Sequence, residues 1–271
     1  MEKRNHIDSA EQKELMLGIL DYIVEYCRQN GLVYYLIGGS LIGAVRHGGF
    51  IPWDDDIDIA MMRTDYEKLV QSFNSNADSR YELLEIRTKP DFYLPYAKII
   101  DRRTVLVESV HGVCPIGVNI DIFPLDYISE EAKNYYADTY LKKSLLERIV
   151  SHKSMLIRRD RPLWKNAITL FLRLICPIPY GYYTKKRIQR AEKLISKEPT
   201  EWIANLHGAW GAREITRADN FQYPVEGLFE GRKVNLPNGY DSWLTNVYGD
   251  YMTLPPEEKR VPHHDYIVYW R

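Results

Sequence analysis

Leu15, Ile19 and Ile23 recur every four residues, flanked by Met16, Leu20 and Val24. That spacing predicts an amphipathic helix. Ser9 and Gln12 stand ahead of it at capping-box spacing, and Gly31 supplies a stop. Residues 33–37 are β-branched and aromatic and predict a short buried strand. Gly38-Gly39-Ser40 then leads into a helix-compatible run over 41–46, closed by Gly48-Gly49, and 51–53 reads as a loop. Residues 56–60 alternate polar and apolar, which is a strand pattern. Thr64 and Glu67 repeat the capping-box spacing and open a helix that runs to residue 73.

Further strands are predicted over 81–86, 96–100, 104–109 and 118–123. In the last, Asn119 and Asp121 share one face, and Val118, Ile120 and Ile122 share the other. The pattern turns helical over 130–159, again from Pro162, and a third time after Pro177 and Pro179. Beyond Pro199 the chain is rich in Gly, Trp and Tyr, with little periodicity. This order predicts an α+β protein: a mixed core over 1–128, a helical insertion over 129–200, and a segment over 201–271 that folds back on the core.

The 271 residues are enough for one large core. Lys and Arg number 36 against 37 Asp and Glu, so overall charge gives no reason to expect nucleic acid as a partner. Cys27, Cys114 and Cys176 are far apart and belong to no metal-ligand spacing. They predict three small buried thiols in a reducing cytosol. The first fourteen residues lack the apolar stretch of a signal peptide. The most apolar stretch, 167–183, is broken by Arg173, Pro177 and Pro179 and is too short to span a bilayer. Arg158, Arg159, Arg161, Lys165 and Arg173 alternate there with Leu163, Trp164, Ile168, Leu170, Phe171 and Leu172. This pattern suggests a basic amphipathic helix resting on an anionic membrane, against the plainer reading of a core-packed helix with snorkelling basic side chains.

The chemistry concentrates between Leu36 and Met62. A Gly-Gly-Ser turn between strand and helix lets backbone N–H groups approach an anion. On a strand, Asp56 and Asp58 project together, and two adjacent carboxylates repel unless a divalent cation lies between them. Asp121, on a later alternating strand, is a third acid for the same cation or a base for an acceptor hydroxyl. Asp54 and Asp55 are expected to orient the preceding loop rather than to bind metal.

Gly-Gly-Ser followed by residues 43–58, GAVRHGGFIPWDDDID, resembles the signature of the LicD family. Tyr96-Ala97-Lys98-Ile99-Ile100-Asp101, Asp121-Ile122-Phe123-Pro124-Leu125-Asp126, and Tyr248-Gly249-Asp250-Tyr251-Met252 with Leu254-Pro255-Pro256 look like further family blocks. The family includes bacterial phosphocholine transferases and, distantly, fukutin-type sugar-alcohol phosphate transferases. The resemblance implies a nucleotidyltransferase-like mixed sheet flanked by helices. It also implies transfer of a phospho-alcohol, phosphocholine first, from CDP-choline or another CDP-alcohol to a hydroxyl of a lipid-linked glycan precursor (lipopolysaccharide or teichoic acid), with CMP released on the cytoplasmic side of the membrane.

On this resemblance Asp56, Asp58 and Asp121 hold magnesium or manganese. Gly38, Gly39 and Ser40 cradle the diphosphate, and Arg46 and Lys98 pair its charge. His47, His263 and His264 are candidates to close the site, and Trp53, Tyr93, Tyr96 and Tyr127 to cage choline. Two other readings remain: a nucleotidyltransferase that adds a nucleotide to a small molecule and releases pyrophosphate, and an inactive membrane-associated assembly module.

Overall fold

The computed structural model describes residues 5–75, 79–89, 92–108, 116–136, 145–153, 155, 157, 161–178, 181–261 and 266–271. Helix α1, Ser9–Asn30, buries Leu15, Ile19, Leu20 and Ile23, as its periodicity predicts. It ends on Gly31 at φ 62°, whose N–H reaches the Cys27 carbonyl. Its N-cap is Asp8, whose Oδ1 accepts the Glu11 N–H at 2.8 Å, and not Ser9. Gln12 is buried instead of capping, because it reaches distant parts of the chain.

The central sheet has the order β1-β2-β6-β4-β3, and β7 and β8 extend it from β6. Its strands are β1 Tyr35–Leu36, β2 Asp58–Met62, β3 Tyr81–Leu84, β4 Ala97–Asp101, β6 Asn119–Ile128, β7 Trp202–Ala204 and β8 Ile215–Arg217. Only β2 and β6 run parallel among these pairs. Between β1 and β2 lies the short helix α2, Gly38–Ile42, which continues as a π turn over Gly43–His47. Helix α3, Arg63–Ser72, follows β2 directly. Thr64 does not cap it, and Glu67 binds Arg63 and Arg87 instead.

Strand β5, Thr104–Glu108, pairs with β11, Tyr266–Trp270, near the end of the chain. Helices α4 Glu130–Tyr135, α5 Leu145–Lys153, α6 Leu163–Ile175 and α7 Gly181–Glu192 follow β6. A hairpin of β9 Pro224–Phe229 and β10 Arg232–Pro237 precedes helix α8, Tyr240–Tyr248. One apolar core runs from Ile7 to Val268 and takes side chains from α1, the sheet, the hairpin and α8. A smaller one joins Ile128, Tyr136, Ala191 and Leu206. The fold is thus an α+β mixed sheet flanked by helices, as expected. Cys27 is buried, and burial pushes its thiol up to about 12. Cys176 is only half-buried, which departs from the expectation, and Cys114 lies outside the described residues.

Candidate active site

Three neighbouring strands bring charged side chains to one rung. Asp58 of β2 stands opposite Asp121 of β6, and Lys98 of β4 stands opposite the same Asp121. Lys98 Nζ donates to Asp121 Oδ1 at 2.5 Å and to Asn119 Oδ1 at 2.9 Å. Burial pushes the Asp58 carboxyl well above the usual carboxylate range. The charges of Asp56, Asp121 and Asp54 add to this, and Lys98 opposes it. Tyr96, just before β4, hydrogen-bonds Asp121, and burial raises its phenol. Its ring centroid lies 4.2 Å from that of Phe123.

The Gly-Gly-Ser turn is pressed against these acids. Gly38 has φ 60°, and a Cβ on it would come within 2.8 Å of Asp58 Oδ2. A Cβ on Gly39 would collide with Asp54 Oδ2. Glycine at both positions lets backbone approach carboxylate, and at Gly38 it also suits the left-handed φ. Ser40 is buried, with 2% of its surface exposed. Its Oγ accepts the Asp58 N–H at 2.8 Å, so it positions the strand and does not cap α2.

Asp56 precedes β2 rather than lying on it. Asp54, Asp55 and Asp56 each offer an oxygen within 4.8 Å of the others. Asp54 and Asp55, expected to orient the loop, thus lie beside Asp56, an expected metal ligand. The turn made by Asp54 N–H to the Ile51 carbonyl, at 2.9 Å, folds Asp54 back towards Gly39. A recess of about 30 Å³ is bounded by Asp55, Asp56, Asp121, Lys98, Asn119 and Gln12, among others. That is room for one water or one small ion. The donors are carboxylate oxygens crowded enough to repel one another, a set that fits a hard divalent cation such as magnesium or manganese.

Other expected residues take different places. Arg46 Nη1 donates to the Tyr251 carbonyl at 2.5 Å, and its Nε donates to His47 Nε2 at 2.9 Å. Arg46 thus binds the turn after α2 to the stretch after α8, and His47 accepts from Arg46. His263 and His264 lie outside the described residues. Two of the four candidate aromatics, Tyr93 and Tyr96, stand together. Tyr96 touches Asp121, and Tyr93 is its neighbour. The Trp53 ring is covered by the Arg260 guanidinium, 5.7 Å from its centroid. Tyr127 is four positions beyond Phe123 on β6, about 13 Å along the strand.

Sequence reasoning missed several neighbours of the acids. Tyr248, at the end of α8, lies close enough to Asp58 and Asp54 for their charges, after burial, to raise its phenol. Trp210 packs edge-on against it at 5.0 Å. Tyr266 donates to the Asp55 carbonyl at 2.8 Å and accepts from Gln12 Nε2 at 2.5 Å. Only Tyr248 had a signal, in its Tyr-Gly-Asp-Tyr-Met block. A separate cavity of about 740 Å³ lies between α3 and α7, beside Arg63, Arg87, Lys185 and His207. By strand alternation Asp126, which pairs with Arg63, faces away from Asp121.

A mixed sheet carrying an acid-rich rung beside a glycine turn defines a protein of the nucleotidyltransferase-domain class. Residues 31–150 match the family described as LicD/FKTN/FKRP, nucleotidyltransferase domain. The lipopolysaccharide cholinephosphotransferase LicD of Haemophilus influenzae is 33% identical over 261 residues, covering 94% of this chain and 95% of that protein. The chain belongs to the LicD family. The ribitol 5-phosphate transferase FKRP of Homo sapiens is 37% identical over 76 residues, 27% of this chain and 15% of that protein. An uncharacterized protein of Rickettsia prowazekii is 47% identical over 47 residues, 17% of this chain and 18% of its own.

Proposed function

We propose that this protein transfers a phospho-alcohol group, phosphocholine first, from a CDP-linked donor to a hydroxyl of a cell-surface glycan precursor, and releases CMP. The observation that carries the reading is the rung of Asp58, Asp121 and Lys98, held against Gly38 and joined by Asp54, Asp55 and Asp56. Two relatives named for cholinephosphate and ribitol 5-phosphate transfer support the kind of group moved.

In this reading the acceptor oxygen bonds to the phosphorus that carries the alcohol. The anhydride P–O bond breaks, and its bridging oxygen leaves on CMP. The hydroxyl proton passes to a carboxylate, for which Asp121 is the candidate. Asp56, Asp58 and Asp121, with Asp54 and Asp55 beside them, would hold magnesium or manganese, which neutralises phosphate charge when bound. Gly38 and Gly39 keep the backbone low enough for a diphosphate to approach. Lys98 supplies a fixed positive charge, and Arg46 holds the neighbouring turn. In this reading the donor is met on the cytoplasmic side of the membrane.

The test is incubation of the purified protein and magnesium with CDP-choline, CDP-ribitol, CDP-glycerol or CDP-ethanolamine and a glycan-lipid fraction. The expected result is CMP release with one donor preferred, abolished by Asp56→Asn and by Asp58→Asn. Pyrophosphate release from nucleoside triphosphates, without CMP release from any CDP-alcohol, sinks the proposal.

A further inference from the structure

Helix α6 is turned inside out. A helix packed on a soluble protein buries its apolar stripe and exposes its polar one. In α6 the buried residues are Asn166 and Thr169. The polar side is bonded inward. Arg161 Nη1 donates to Thr169 Oγ1 at 3.0 Å, and Arg173 donates to the Lys153 and Met155 carbonyls at 3.0 and 2.8 Å. Leu163, Trp164, Leu170, Phe171, Leu174 and Ile175 are all exposed, Leu163 at 84% and Leu174 at 86%. They fall on one continuous arc of the helix. Arg173, expected from sequence to face outward, instead fastens the helix to the end of α5, Arg161 bonds back to Thr169 of α6, and Arg158 and Arg159 lie outside the described residues.

Charge says what covers this arc. Residues 145–197 contain thirteen Lys and Arg against three Asp and Glu, a net of +10 in a chain whose total is −1. Arg148, Lys165, Lys185, Lys186, Lys193 and Lys197 of this stretch are exposed. A second copy docking through the same arc would bring two such stretches together, and like charge opposes that. An anionic lipid surface takes both features at once: the arc enters the acyl boundary, and the basic side chains meet the headgroups. The helix is 13 residues, about 20 Å, and lies in the surface plane. Among the described residues no helix is long and apolar enough to cross a membrane.

We infer that α6 is a membrane-surface anchor that seats the protein on an anionic bilayer. The inference does not depend on the chemistry proposed above, because binding is read with no substrate present.

The experiment is co-sedimentation with vesicles of phosphatidylglycerol mixed into phosphatidylcholine, and with vesicles of phosphatidylcholine alone. Binding is expected on the anionic vesicles, weakened by salt and much lower on the neutral ones. Phe171→Glu with Leu174→Glu should lower partition by about ten-fold or more. Trp164 emission should shift to the blue on binding, and Trp164→Phe should remove that part of the shift. Lys185→Glu with Lys186→Glu, which leaves the apolar arc intact, should also weaken binding, so the inference does not hang on one variant. Circular dichroism of each variant should match the parent, since the changed side chains are exposed. Vesicle binding that survives the α6 variants overturns the inference. So does equal binding to neutral vesicles, or a solution dimer that Phe171→Glu dissociates.

Discussion

Lys98 Nζ lies 2.5 Å from Asp121 Oδ1, with both side chains nearly buried, in a rung that also holds Asp58. Two adjacent carboxylates in low dielectric need such a partner. Lys98→Met leaves Asp121 unbalanced and should cost about 3–5 kcal/mol in metal-free buffer. Magnesium can then take over the neutralising role, so it should raise the melting temperature of Lys98→Met more than that of the parent. Paired thermal melts in EDTA and in magnesium check this. Equal magnesium shifts in the two proteins would mean that Lys98 and the cation do not share the same acids.

Gly31 and Gly38 have almost the same backbone, at φ 62° and 60°, but only Gly38 has an acid where its Cβ would go. Alanine at either position strains the left-handed conformation by about 1 kcal/mol. Gly31→Ala should stop there and leave transfer intact, since nothing lies within 4 Å of the added carbon. Gly38→Ala should also displace the Asp58 carboxylate and lose transfer activity by about two orders of magnitude. Melting curves and CMP release on both variants make the comparison. Equal activities would show that the close approach to Asp58 has no catalytic weight.

The alternation that put Asp121 opposite Ile120 and Ile122 was legible, because period two fixes a face without knowledge of the partner strand. The length of β6 was not. Pro124 reads as a strand end, but it falls between the last β4 pairing at Ile122 and the first β7 pairing at Asp126. One edge of the strand has no partner there, so the missing N–H does no harm. Gln12 was read as a cap because only its local neighbours are visible in sequence. Its partners, Asp55 and Tyr266, are 43 and 254 residues away. Asp54 was set aside because its contact with Gly39 needs a turn that the loop composition does not specify. For α6, periodicity defined the apolar arc but not the side on which the rest of the protein lies.

Burial holds the His207 imidazole down at about 3, and the nearby charges of Arg187 and Arg63 add to this. Among the described residues its Nδ1 has no hydrogen-bond partner. The unfolded chain takes up this proton near the ordinary value of 6.5, whereas the folded one refuses it until about 3. Stability from this group is therefore complete above 6.5 and falls as pH drops, by about 1.4 kcal/mol per pH unit. His207→Leu removes the proton site and should flatten that acid limb by the same slope relative to the parent. Urea unfolding at a series of pH values measures it. Parallel parent and variant curves between 6.5 and 4 would show that His207 protonates without penalty in the fold.

Asp58 sets stability against chemistry. Its carboxyl is raised by burial and by three like charges, so the folded state holds its proton more tightly than the unfolded chain does. An acid raised in this way costs nothing at low pH and an increasing amount as pH climbs through its ordinary range to its shifted one. Asp58→Asn removes that cost. In metal-free buffer it should be more stable than the parent by about 1–2 kcal/mol at neutral to alkaline pH, with the gain shrinking to nothing in acid. The same change should lower transfer by at least about two orders of magnitude, because the acid that weakens the apo fold is the one meant to meet the cation. Urea unfolding against pH, read beside CMP release, tests both halves on one variant. A destabilised Asp58→Asn would mean that the carboxylate is already well compensated in the metal-free protein. An active one would mean that the rung is structural and the chemistry lies with Asp54, Asp55 and Asp56.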